Sequence, residues 1–208
     1  MSEIGPPHAS QPGITTRELR VWPKKKLLMV MTIRCSSVIH DCVAPDPNDP
    51  RPADVQFPFD IKFFSLEDPV RPRFIHSYVP TSKAGEQVKP HEMFLWIDPK
   101  NANRALLWLS IPSSSTDPTR PQMMIVDIRR VPDRGSVTEL AEGNWNNQFE
   151  AGGAPAAFDN DLGVHSMTPT ADGRLTHLSY LRGEYLALDT SSVVDRERPG
   201  VVEISTTT

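Results

Sequence analysis

At 208 residues and 23.2 kDa, with 38% hydrophobic residues, the chain is long enough for one large or two small domains and apolar enough to bury a core. A net charge of -4 leaves no cationic excess to release counterions from a nucleic acid, which argues against DNA or RNA as a partner. Twenty-one prolines against eleven glycines disfavour a helical protein, because an interior proline costs a helix about 3 kcal/mol; strands and turns remain.

Residues 1–14 are polar, proline-rich and without periodicity, and are expected to form a disordered tail. No run reaches the roughly 18 to 20 apolar residues of a spanning helix, so no membrane span is expected. Lys24 to Cys35, KKKLLMVMTIRC, resembles a lipoprotein signal only superficially: its apolar part is short and internal, and Arg34 stands where a small residue should precede the cysteine.

From Thr15 the pattern changes. TTRELRVW and KKKLLMVMTI predict a hairpin broken at Pro23, and the Pro- and Asp-dense 44–58 predicts a long loop, since each proline removes a ladder donor. FDIKFFSL and RFIHSYV flank the turn EDPVRP and predict a second hairpin. The stretch from Pro90 to Leu109, PHEMFLWIDPKNANRALLWL, reads as two apolar strands around a polar turn, followed by QMMIVDIRRV and a weaker run VTELAEGNW. LGVHSM, LTHLSYL, GEYLALDT, SSVVDRERP and GVVEIS complete the chain.

Laid over one another, IKFFSL, MIVDI and YLALDT place Ser65, Asp127 and Asp189 at one position, spaced about 62 residues apart. Units of this length with four short strands predict an all-β protein, a β-propeller of about three four-stranded blades near 15–80, 90–148 and 162–205. A sandwich with similar hairpins is the competing architecture. Because propellers close with about four to eight blades, the chain is expected to be a fragment of a longer propeller or half of a homodimeric ring.

The segments PHEMFLWIDPKNANRALLWLSIP, QMMIVDIRRV and LGVHSMTPTADGRLTHLSYLRGEYLALDTS, with the earlier IRCSSVIHDC, resemble the LVIVD-repeat β-propeller proteins of actinobacteria over roughly residues 17–205. Members of that family are usually longer and often exported, so the resemblance implies missing blades and an extracellular or cell-envelope location; no export signal is read at the N-terminus, and a cytoplasmic location is the alternative. The family's molecular function is largely undefined.

His91 and His165 hold the same place, just ahead of the innermost strand of their blades, and His40 falls between the second and third strands of the first unit. In a propeller those loops share one face, so the three imidazoles are expected to converge at the channel mouth. With Asp41 and Glu92 beside them they suit Zn, Cu or Fe, and Asp159 and Asp161 offer further oxygens. Against this stands a structural role, with each histidine hydrogen-bonding a neighbouring blade and Asp127 and Asp189 capping turns.

Cys35 and Cys42 suggest a disulfide that would fix the segment carrying His40. Two buried thiols or a Cys-His metal pair stay open, although no CxxC is present. His76 and His177 sit within strands and His8 in the tail; Met93, Phe94, Trp96 and Trp108 are expected in the core. Trp145 lies in a polar, Gly-rich stretch from Glu142 to Asp161 that reads either as a functional loop or as a plain insertion. No GxSxG, HExxH, P-loop, dinucleotide fingerprint or calcium loop is present. Two functions follow: a binding scaffold presenting its top face to a small molecule or protein, or a metal-dependent, oxidoreductase-like enzyme whose architecture is similar to that of selenium-binding-protein propellers.

Overall fold

The computed structural model describes residues 14–34, 46–50, 59–113, 119–145, 163–181, 185–196 and 205–206. These residues form three antiparallel sheets. The first takes β1 (Ile14–Trp22), β2 (Leu27–Arg34), β3 (Asp60–Ser65) and β4 (Arg73–Tyr78) in sequence order. The second takes β5 (Glu92–Ile97), β6 (Ala105–Ser110), β7 (Met123–Asp127) and β8 (Thr138–Gly143) in the same way. The third takes β9 (Val164–Pro169), β10 (Leu175–Tyr180) and β11 (Tyr185–Asp189), with β12 (Ser205–Thr206) adding only two residues at its edge. No helix among the described residues is long and apolar enough to cross a membrane.

The middle sheet explains why its sequence reads as near-continuous apolar runs. Side chains alternate between the faces of a strand, so a strand buried on both sides has no position left for polar residues. In β6, Ala105, Leu107 and Leu109 pack toward the first sheet, whereas Leu106 and Trp108 pack toward the third. β7 repeats the division with Met124 and Val126 against Met123 and Ile125. All of these residues are buried. Trp22, Leu27, Met29, Met31, Ile61 and Phe63 complete the first interface. Val164, Met167, Leu178, Tyr180 and Leu188 complete the second.

Ser65, Asp127 and Asp189 each end the third strand of their sheet, and each side chain accepts the backbone N–H two residues on, from Glu67, Arg129 and Ser191. Such local bonds stop a strand by offering its backbone another partner. After Asp127 the chain therefore leaves the sheet instead of running on through Arg129 and Arg130, and forms one helical turn, α1 (Val131–Arg134). Likewise SSVV after Asp189 forms α2 (Ser191–Val194) rather than a strand. The Ser191 hydroxyl and N–H together hold the Asp189 carboxyl below the usual carboxylate range.

Polar groups at the interfaces are paired across them. Trp22 Nε1 donates to the Ala102 carbonyl in the β5–β6 turn at 3.1 Å, and Trp96 Nε1 donates to the Ala171 carbonyl in the β9–β10 turn at 3.0 Å. Gly173, at φ 74, lets that second turn lie flat on the Trp96 ring, where a Cβ would come within 2.9 Å of an indole carbon. Trp108 Nε1 donates to Thr176 Oγ1, and Tyr180 Oη to Gln122 Oε1. Buried Arg104 donates to the carbonyls of Val193, Val194 and Arg196 and pairs with Asp98 at 3.2 Å, so α2 is tied to the middle sheet.

The first strands adjoin: β1 contacts β5, and β5 contacts β9. The lead-ins to β5 and β9 consequently open on the same end of the stack, which positions the site described next.

Candidate functional site

Ser110, the last residue of β6 and fully buried, organises this end of the sheets. Its carbonyl accepts the His91 N–H at 2.8 Å, and its hydroxyl oxygen accepts the Glu92 N–H at 3.0 Å. The same hydroxyl donates to the His165 carbonyl at 2.9 Å. One side chain thus holds the start of β5 against the start of β9. Gly163 permits that approach, because a Cβ there would stand 2.5 Å from Pro112 Cα.

His91 and His165 are therefore adjacent, with ring centroids 4.6 Å apart and the planes tilted by 54°. The Glu92 carboxylate lies 3.6 Å from His165 Nδ1, which also bonds the Ser166 hydroxyl at 2.8 Å. One donor atom from each of His91, Glu92 and His165 falls within 4.8 Å of the others, and all three residues are partly buried. The sequence brings these three together as expected. His40 and Asp41, and the cysteines Cys35 and Cys42, lie outside the described residues, as do Asp159 and Asp161.

A fourth residue was not foreseen. Arg17 on β1 places Nη2 3.0 Å from His91 Nε2 and Nε 3.3 Å from the His91 carbonyl. A guanidinium has donors only, so Nε2 must be the acceptor and the ring proton belongs on Nδ1. Burial, with Arg17 and His165 nearby, holds this imidazole below its ordinary pKa and neutral, although the His165 backbone and Glu92 pull the other way. The buried Nδ1–H has the His165 backbone as its neighbouring acceptor, at a geometry looser than a standard hydrogen bond.

His91 also walls a cleft of about 670 Å³. Described residues ahead of β5, at both ends of the β6–β7 connection, and at the ends of β2 and β3 that adjoin it line the cleft. Ile33, Phe59, Ile111 and Pro121 supply apolar surface, and Gln87, Lys89 and Arg120 supply polar groups. Gln87 Nε2 is buried here without a hydrogen-bond partner. Lys89 Nζ stands 5.7 Å from the centroid of the Phe59 ring.

Two imidazoles and a carboxylate form a donor set suited to Zn, Cu or Fe. Metal bonds of about 2.0–2.2 Å require donors roughly 3–3.5 Å apart, so the group would have to contract. Arg17, already bonded to His91 Nε2, opposes a second cation at that nitrogen.

Among the described residues, the other histidines stand apart from the group. His76 stacks on Phe63 at 6.3 Å and His177 on Tyr185 at 5.6 Å. Trp145 is 3% exposed and belongs to the core between the second and third sheets, with its backbone N–H bonded to Gln122 Oε1 at 3.1 Å. Its side chain is core packing, and the residues from 146 to Asp161 lie outside the described ones. Arg17, Ser110 and Gln87 were missed because each is a lone polar residue in or beside a strand, although Ser110 is the one hydroxyl closing the apolar ALLWLS. Compared with protein-family models and with curated proteins, the chain matches none.

A pH dependence follows from the His91 tautomer. Because the folded state depresses this pKa, the associated stability is present above the unfolded value of about 6.5 and is lost as pH falls through the folded value. Thermal melts are expected to show a drop in Tm between about pH 7.5 and pH 5. His91→Gln, which keeps an acceptor for Arg17 without titrating, is expected to flatten that drop; an unchanged pH profile in the variant would refute the assignment.

Proposed function

We propose that this protein is a propeller-type binding module that takes a small molecule at the rim of its sheets, in the cleft beside His91. The observation that carries this reading is the cleft itself, about 670 Å³, with apolar walls from Ile33, Phe59, Ile111 and Pro121 and with His91, Gln87, Lys89 and Arg120 among its lining residues. Small-molecule sites are typically apolar concavities of about 300–1,000 Å³ with a few convergent polar groups, and the cleft fits that description.

Three features support the propeller. The sheets are sequential meanders, they stack face to face, and their first strands adjoin. The resemblance of its sequence segments to LVIVD-repeat propeller proteins points the same way. Three blades leave a ring open. On the far side of the first sheet Leu19 is 55% exposed, and on the far side of the third Tyr185 is 62% exposed. We take a second copy of the chain to cover these faces. The enzyme reading, a metal centre on His91, Glu92 and His165 with His40 and Asp41 contributing, draws its support from the proximity of the three described donors.

Three measurements test these statements. Ligand-observed NMR against a small-molecule fragment set is expected to give hits that vanish in Lys89→Trp, which fills the cleft from its rim; hits unchanged in that variant would place binding elsewhere. Light scattering is expected to give twice the 23.2 kDa chain mass, and a well-folded monomer would overturn the paired ring. If the metal reading holds, purified protein carries stoichiometric Zn, Cu or Fe that is lost in His91→Ala and His165→Ala. Metal content indifferent to those changes, or none at all, removes it.

A further inference from the structure

We propose that Arg17 is a lock on the His91–Glu92–His165 group: while its guanidinium is in place neither ring nitrogen of His91 is open to a metal, and a metal enters only when that guanidinium swings out. This rests on the metal reading of the group and adds its control. The lock is built by an irregularity in β1. Its pairing with β2 shifts between Thr16 and Glu18, so Arg17 is the bulged residue with no partner on β2. Adjacent side chains of a regular strand point to opposite faces, and a bulge re-aims one of them. Here Arg17 and Glu18 both reach the start of β5. Arg17 bonds His91 Nε2 and the His91 carbonyl, and Glu18 Oε2 accepts the Met93 N–H at 2.7 Å.

A neutral imidazole has a single ring nitrogen free to accept or ligate, and the guanidinium decides what becomes of it. At Nε2 the lone pair accepts from Arg17 Nη2 at 3.0 Å, so a metal there would have to displace a donor and stand beside a cation. Nδ1 carries the proton instead, beside the His165 backbone. Moving that proton to Nε2 would free Nδ1 but set two N–H donors against each other across the 3.0 Å contact. One contact thus closes both routes, whichever nitrogen of His91 would meet a metal held by Glu92 and His165. The lock can open because the Arg17 side chain is exposed, and because the Glu18 contact still holds β1 to β5 once the guanidinium has left.

The experiment titrates Co(II), followed by its visible absorption, and then Zn(II) in competition, into the metal-stripped full chain. Arg17→Met keeps most of the stem and removes every donor. It is expected to bind Co(II) roughly 10- to 100-fold more tightly than the unaltered chain, the scale on which a ligand's hydrogen-bond partners tune metal affinity. The gain is expected to vanish when His91→Ala is added, and near-UV circular dichroism checks that each variant keeps the native fold. Equal affinity of Arg17→Met and the unaltered chain overturns the lock and leaves the group a metal centre. A gain that survives His91→Ala overturns the lock as well, because the metal then sits elsewhere. No Co(II) or Zn(II) bound by either protein overturns the metal reading and the lock with it. Proton–nitrogen correlation NMR of the unaltered chain gives a check that needs no variant: the His91 ring proton is expected on Nδ1, and a proton on Nε2 overturns the lock.

Discussion

The middle sheet has no solvent face, and the rest of the molecule depends on that constraint. Each residue of β6 and β7 must satisfy one of two neighbours, so the alternation of Leu107 and Val126 against Trp108 and Ile125 fixes where both outer sheets lie. A one-residue slip of register would exchange the two sets and ruin both interfaces together. The site inherits this definition: Arg17 comes from the first sheet, His91 and Glu92 from the second, and His165 from the third. No one sheet could build it.

The electrostatics of the site follow from one donor-only group. Arg17 fixes the tautomer of His91, and the tautomer turns the other ring nitrogen into a donor facing the protein. The imidazole thereby meets a cation on one edge and the His165 backbone on the other. A metal at the three-residue group would compete with Arg17 if it took the Nε2 lone pair. Ser110 takes no part in this, because it sets backbone positions only.

Much of the fold was legible because it is written in local patterns. The all-β class, the hairpins and the shared place of Ser65, Asp127 and Asp189 could be read from alternation and spacing, and the equivalence of His91 and His165 put them at one end of the sheets. What failed to show was set by tertiary geometry. Trp145 sits in a polar, Gly-rich sequence but fills a gap against Gly143, a fact of packing with no trace in periodicity. SSVV carries strand propensity, yet Asp189 and the carbonyl acceptors of Arg104 make a helical turn the better-satisfied conformation. Arg17 looks like any charged residue on an edge strand until β1 is laid beside β5.

The tryptophan hydrogen bonds carry a further implication. Trp22 reaches from the first sheet into a turn of the second, and Trp96 from the second into a turn of the third, always with the donor behind and the carbonyl ahead. The stack therefore has a direction, like links that engage only nose to tail. β9 contains no indole. Among the described residues the third sheet thus receives such a joint and extends none, so its two faces are chemically unequal even where the backbone repeats.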